Sequence, residues 1–272
     1  MAPPAPSKHR LRVGRIYIDD VTFAEALDAI AEMVGNRGGA VFTPNVDHVV
    51  LAEDDELFKR AYDEAELSVV DGTLLLWSSR LLGIPLAEKI SGSDLALPLL
   101  TRAEREGWRV FLFGAAPGIA DRAAAKLKEC LPGLAIVGTD APNVDIKGPA
   151  SVRAEAIARI RALKPDLVLV ALGSPKQEIW IHEAAAQLRP AVLVGVGATF
   201  DFIAGTLRRA PGWVSGTGFE WLYRLVLEPR RLWQRYLVRD PRFLLILLRD
   251  LRTERASRIV PGGRWRSGAS TS

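Results

Sequence analysis

Ser68-Val-Val-Asp71-Gly72 puts a carboxylate at the end of a short β-branched run, beside a glycine that leaves room at the backbone. An acid at the carboxyl end of a buried strand stands where open α/β sheets hold their ligands, which makes Asp71 a candidate general base. The alternative is that Asp71 caps the next helix, since Asp is a good N-cap. Thr43-Pro-Asn45 closes another apolar run and would face the same crevice if the two strands lie side by side. Three more turns are rich in small residues, the last two with polar groups among them: Gly114-Ala-Ala-Pro-Gly118, Gly173-Ser-Pro-Lys176-Gln177-Glu178 and Gly195-Val-Gly197-Ala-Thr-Phe-Asp201. Close approach to a ligand requires missing side chains. Gly72, Gly114, Gly173 and Gly197, with Thr43, Asn45, Lys176, Gln177 and Asp201, therefore outline a nucleotide pocket. Glu178 taken alone reads as part of a solvated first helical turn.

Other chemistries lack their signatures. The Gly114 turn does not complete G-x-G-x-x-G, and no acid closes a second strand about 20 residues on, so a nicotinamide cofactor is poorly supported. No G-x-x-x-x-G-K-[ST] occurs, which disfavours P-loop hydrolysis. There is no Asp-x-Asp to carry a divalent ion on a diphosphate; Asp19-Asp20 and Asp54-Asp55 are neighbours whose side chains point apart. One cysteine, Cys130, excludes an intrachain disulfide framework, and with three scattered histidines the composition argues against a zinc centre. No metal and no cofactor are expected, so a bound diphosphate must be met by Lys, Arg and backbone N–H groups.

The elements that would position these residues follow a regular rhythm. An edge strand at 15–18 precedes a helix over 22–34, where Thr22 and Glu25 have the spacing of a capping box. A strand from Ala40, helices at 46–53 and 55–64, the Asp71 strand with its helix, and a helix to about Glu106 come next. Apolar runs at 109–114, 135–138, 166–171 and 191–196 then alternate with helices starting near Pro117, Ser151 and Pro175. The pattern predicts an α/β fold: a largely parallel, Rossmann-like sheet with flanking helices.

After Arg209-Ala-Pro-Gly212 the strand signals stop. Helical patterns at 220–227, 230–238 and 241–255 carry Trp, Tyr, Phe and Leu among arginines. The whole chain of 272 residues has a net charge of +4, but from Gly205 onward 14 Arg face 5 acids, so this segment carries +9 and the preceding residues −5. The reading is a disordered leader over 1–11, an α/β catalytic domain over 12–212, a basic amphipathic helical appendage over 213–255 and a disordered tail over 256–272. Segregated positive charge with interleaved aromatics fits an anionic membrane surface. With no secretion signal and no run of ~20 apolar residues, the expected place is the cytoplasm, peripheral on the inner face of the cell membrane.

In order along the chain, Thr43-Pro-Asn45, Val70-Asp71-Gly72 with Lys89-Ile-Ser-Gly92, Gly173-Ser-Pro-Lys-Gln-Glu178, Gly195-Val-Gly-Ala-Thr-Phe-Asp-Phe202, Arg209-Ala-Pro211 and Glu220-Trp-Leu-Tyr-Arg224 through Arg231 to Arg235-Tyr236 resemble the WecG/TagA/CpsF glycosyltransferases, glycosyltransferase family 26. The likeness runs from about residue 12 to 245. It implies an inverting, metal-independent transferase that moves a sugar, of N-acetylmannosamine, uronic acid or hexose type, from a UDP-sugar donor to a polyprenyl-diphosphate-linked glycan acceptor in the synthesis of a cell-surface polymer. By the same resemblance Asp71 matches the general base, and Thr43, Asn45 and Gln177 match polar active-site positions. Lys89 stands where relatives usually carry an arginine on the leaving group, and Arg224, Arg231 and Arg235 match appendage arginines that complete the site. Two other classes stay in view: a non-catalytic nucleotide or nucleic-acid binding module, which leaves the polar strand ends unexplained, and a Rossmann-type dehydrogenase. No nucleic-acid partner is expected, and homo-oligomer formation is left open.

Overall fold

The computed structural model describes residues 9–207, 220–253 and 259–260. Its strands in chain order are β1 (Arg10–Val13), β2 (Ile16–Asp19), β3 (Gly39–Phe42), β4 (Leu67–Ser68), β5 (Arg109–Gly114), β6 (Ala135–Asp140), β7 (Leu167–Ala171), β8 (Val192–Gly195) and β9 (Ile259–Val260). Strands β3 to β8 form one six-stranded sheet in the order β4-β3-β8-β7-β5-β6, with every pairing parallel. Because the strands run the same way, their carboxyl ends fall on a single rim. The α/β expectation holds.

Alternation along the strands gives the sheet two cores. Phe42, Phe113, Val168, Val170 and Leu193 face one side, while Val41, Leu112, Leu169, Val192 and Val194 face the other. The first core is covered by helices Val46–Asp54, Glu56–Glu64 and Lys176–Leu188, and the second by Phe23–Gly35, Gly92–Glu106 and Ile119–Cys130. Both faces are dry, so strands such as β7 read as continuous apolar runs. Thr22 and Glu25 form the expected capping box.

Departures from the sequence reading have local causes. Arg10 and Leu11, assigned to the leader, lie in β1, which pairs antiparallel with β2 and with β9. Ile259 and Val260 of β9 fall in the stretch assigned to the tail; residues 1–8, the Arg209-Ala-Pro211 motif and the domain boundary expected at 212 lie outside the described residues. The strand leading to Asp71 is regular only over Leu67–Ser68. Beyond it single hydrogen bonds continue the pairing, Val69 N–H to Phe42 O at 2.9 Å and Asp71 N–H to Pro44 O at 2.7 Å. Pro44 has no N–H to return, which ends the ladder. The helix expected at 230–238 starts at Pro229 and becomes a π-helical turn over Gln234–Arg239. Arg242–Leu251 then packs Phe243, Ile246 and Leu247 into the first core, and Asp250 Oδ2 accepts the Gly14 N–H at 2.6 Å.

The short edge strand β4 is held from outside the ladder. Asp19, buried on β2, accepts from Arg10 Nε at 2.9 Å and Nη2 at 3.1 Å, and its Oδ2 also accepts the Ser68 N–H at 2.9 Å. Glu66 Oε2 accepts the Ala40 N–H at 2.7 Å from the neighbouring strand. Removing one member of a buried ion pair strands the other charge. Asp19→Ala is therefore expected to lower the free energy of unfolding by roughly 3–5 kcal/mol, measured as a lower urea midpoint at unchanged slope.

Candidate functional site

A cavity of about 830 Å³ opens along the carboxyl rim. Three helices start at its wall: Asn45, Ser91 and Pro175 are the N-cap residues of Val46–Asp54, Gly92–Glu106 and Lys176–Leu188, and all three line it. Helix N-termini carry partial positive charge and unpaired N–H groups, a field suited to a phosphorylated ligand.

Of the residues singled out in the sequence, Thr43, Asn45, Asp71, Gly173, Lys176, Gln177, Gly197, Asp201, Arg224 and Arg235 line this one cavity. Gly72, Lys89 and Gly114 do not. Gly114 answers to the sheet: its φ is +102°, and an added Cβ would lie 2.7 Å from Ala171 O. The wall near it is formed by Ala115, Ala116 and Pro117 instead. Lys89 belongs to the connection that reaches Ile90, whose N–H donates to Val70 O. Arg231 lies in the helix Pro229–Trp233, and its side chain lies outside the described residues. The N-cap position of helix Thr73–Leu81 is Gly72, one residue beyond Asp71, and Asp71 lines the cavity wall.

Gln177 is held at both ends of its amide. Its Oε1 accepts the Gly197 N–H at 2.9 Å, and its Nε2 donates to Glu178 Oε1 at 2.8 Å. Gly195 makes room for it, since a Cβ there would sit 2.5 Å from Gln177 Nε2. Glu178 is fully buried, against the reading of a solvated helical turn. Burial pushes its pKa up to about 7, partly opposed by hydrogen bonds that include the Gln177 amide and raised further by Asp47.

The C-terminal helical segment brings charge to the same cavity. Arg235 Nη2 donates to Asn45 Oδ1 at 3.0 Å, Arg235 Nε lies 3.2 Å from Asp47 Oδ2, and Arg239 Nε lies 2.6 Å from Asp47 Oδ1. Burial disfavours the Arg235 cation, but Asp47, Tyr236, Asp240 and Asp71 outweigh it and hold its pKa above the ordinary value. Next to this cluster His48 is pushed down to about 3 by burial and by Arg235 and Arg239, so it is neutral. His48 Nδ1 is 2.6 Å from the Tyr62 hydroxyl, whose own pKa burial and nearby carboxylates raise. Burial and the Asp47 charge push Asp240 up to about 7, against the pull of Arg235 and Arg239.

Asp47, His48, Glu178, Gly195 and Arg239 were missed or misread in the sequence. Asp47 looks there like an acid complementing a helix dipole in solvent, and Arg239 like one more tail arginine. His48 had a usable signal, standing three residues after Asn45 of the Thr43-Pro-Asn45 turn. Among the described residues no group of three or more His, Cys, Asp or Glu is placed to hold a metal ion.

A family model described as the Glycosyl transferase WecG/TagA/CpsF family matches residues 11–257. The chain is 33% identical over 222 residues to a Bacillus spizizenii protein named N-acetylglucosaminyldiphosphoundecaprenol N-acetyl-beta-D-mannosaminyltransferase, covering 82% of this chain and 82% of that protein. It is 32% identical over 213 residues to the protein of the same name from Bacillus subtilis strain 168, covering 78% and 80%.

The Glu178 proton gives a test of the site's electrostatics. The folded protein binds it more tightly than the unfolded chain, where the carboxyl titrates near 4.5, so the stability it contributes is complete below about that pH and is lost as pH rises through about 7. In melting experiments from about pH 5 to 8, Glu178→Gln is expected to gain on the wild type with rising pH. Asp240, titrating near 7 as well, leaves a residual slope in the variant.

Proposed function

The chain belongs to the WecG/TagA/CpsF glycosyltransferase family, and on that premise we propose that it transfers N-acetylmannosamine from a UDP-sugar to a sugar hydroxyl of a polyprenyl-diphosphate-linked N-acetylglucosamine. The relatives' names support the transferred sugar and the acceptor. The observation that carries the mechanism is that Asp71 and Arg235 line one cavity.

In this reading the acceptor hydroxyl oxygen attacks the anomeric carbon from the face opposite the diphosphate while Asp71 takes its proton. The new C–O bond forms as the bond to the UDP oxygen breaks, which inverts the anomeric centre in one displacement. The leaving diphosphate gathers negative charge, met by Arg235, Arg224, Lys176 and the helix N-termini on the same wall. Lys89, off the wall, is not assigned to the leaving group. Gln177 and Thr43 present fixed polar groups to the sugar; the hold on Gln177 by Gly197 and Glu178 removes the cost of ordering it during the reaction.

The acceptor's lipid requires the protein to work at a membrane surface. Helix Arg242–Leu251 buries one face in the core and turns Leu244, Leu248 and Leu251 outward, the first two with 59% and 52% of their surface exposed. Their i, i+4, i+7 spacing makes one stripe that suits the headgroup layer of the cytoplasmic leaflet, with arginines of the appendage drawn to anionic lipid. Among the described residues no helix is long and apolar enough to cross a membrane.

With a short-chain polyprenyl-diphosphate N-acetylglucosamine as acceptor, UDP release should require the acceptor. Asp71→Asn should lose roughly 10²–10⁴-fold in rate while still binding UDP; a variant turning over at the wild-type rate would overturn the assignment. Separately, a Leu244→Ser, Leu248→Ser double variant should sediment less with phosphatidylserine vesicles than the wild type does, at unchanged melting temperature.

A further inference from the structure

Asp47 sits in the first turn of helix Val46–Asp54, where an acid ordinarily faces water and complements the helix dipole. Here it is 1% exposed, and the groups that meet it belong to a segment nearly 190 residues further on. Arg235 and Arg239 approach its two oxygens through their Nε atoms at 3.2 and 2.6 Å. They lie in the π-helical turn Gln234–Arg239, closed by the Asp240 N–H donating to Arg235 O at 2.8 Å. π turns are rare and concentrate at functional sites; this one brings two guanidinium groups onto one carboxylate.

We infer that Asp47 is a positioning residue for sugar transfer: together with Asn45 it fixes the Arg235 guanidinium toward the cavity before the donor diphosphate arrives. The inference rests on the proposed transfer at this cavity. Nη2 donates to Asn45 Oδ1 and the Nε side of the fork lies in ion-pair contact with Asp47, so a hydrogen bond and a charge contact hold the guanidinium from two sides. Asn45 Oδ1 is itself fixed, because it accepts the Asp47 N–H at 3.1 Å as the helix cap. A planar fork held on two sides has one orientation to offer a phosphate, and little order is left to impose when the leaving group develops its charge. Arg239 completes the balance, so the buried carboxylate is not left with one partner.

Anchoring the appendage is a separate task. The helix that follows is secured by Phe243, Ile246 and Leu247 in the core, by the Asp250 bond to the Gly14 N–H, and by ion pairs of Arg242 with Asp54 and Arg249 with Glu53. Loss of Asp47 should therefore free the π turn without releasing the helix beyond it.

The test uses the full chain and three changes: Asp47→Asn, Asp47→Glu and the pair Arg235→Gln, Arg239→Gln. Asp47→Asn should lower kcat for UDP release at least tenfold, with Asp47→Glu recovering part of the loss. Placed in the Arg235→Gln, Arg239→Gln background, Asp47→Asn should add little further loss, because all three then act through one route. Hydrogen exchange in Asp47→Asn should rise at the amides of 234–240 and stay at the wild-type level at 242–251. Fully additive losses, wild-type turnover in Asp47→Asn, or unchanged exchange at 234–240 would each overturn the inference. If the wild type releases no UDP with any UDP-sugar and acceptor, the transfer reading fails on its own, and the exchange measurement still decides whether Asp47 orders the turn.

Discussion

One carboxylate near the start of the chain is neutralised by two guanidinium groups near its end, and the cavity takes its electrostatic character from that encounter. Asp47 is buried while the Arg235 and Arg239 side chains keep 22% and 36% of their surface exposed, so their attraction to it is stronger than between groups fully in water. His48 gives up its proton and Asp240 keeps its own to near neutrality. The parallel sheet makes such concentration possible, because both of its faces are buried and polar groups can gather only at the ends of the strands.

Much of this was visible in the residues. The strand Arg109–Gly114 falls where the apolar run indicated, and Thr22 with Glu25 forms the cap that their spacing announced. The strand-end groups Thr43, Asn45, Asp71, Gln177 and Asp201 could be collected in advance because parallel strands share a rim. What escaped were relations that no local pattern encodes. Arg10-Leu-Arg-Val is short and charged and is a strand through its pairing with β2, and Ile259–Val260 has only two residues and is a strand because β1 is beside it. A π turn has no sequence signature of its own. The burial of Glu178 depends on how neighbouring elements cover the end of its helix, and the meeting of Asp47 with Arg235 spans most of the chain.

The strand-end glycines divide into two kinds that look alike in sequence. Gly173 and Gly197 face open space beside the cavity, as expected of positions kept small for a ligand. Gly114 and Gly195 are small for the protein's own sake, the first against the neighbouring strand and the second against Gln177. A substitution at Gly195 would thus displace the Gln177 amide, reaching the cavity through a residue that only supports it.

The pairing of β9 with β1 changes how the basic appendage should be pictured. Its far end is stitched to the hairpin that opens the fold, through Arg10 opposite Val260 and Leu11 opposite Ile259, so the segment is a closed loop and not a free tail. A tether fixed at both ends can pivot but cannot diffuse away, and the cost of returning grows only with the logarithm of the loop's length. A guanidinium displaced from the cavity would therefore stay within the reach of that loop, and its return would need no search through solution.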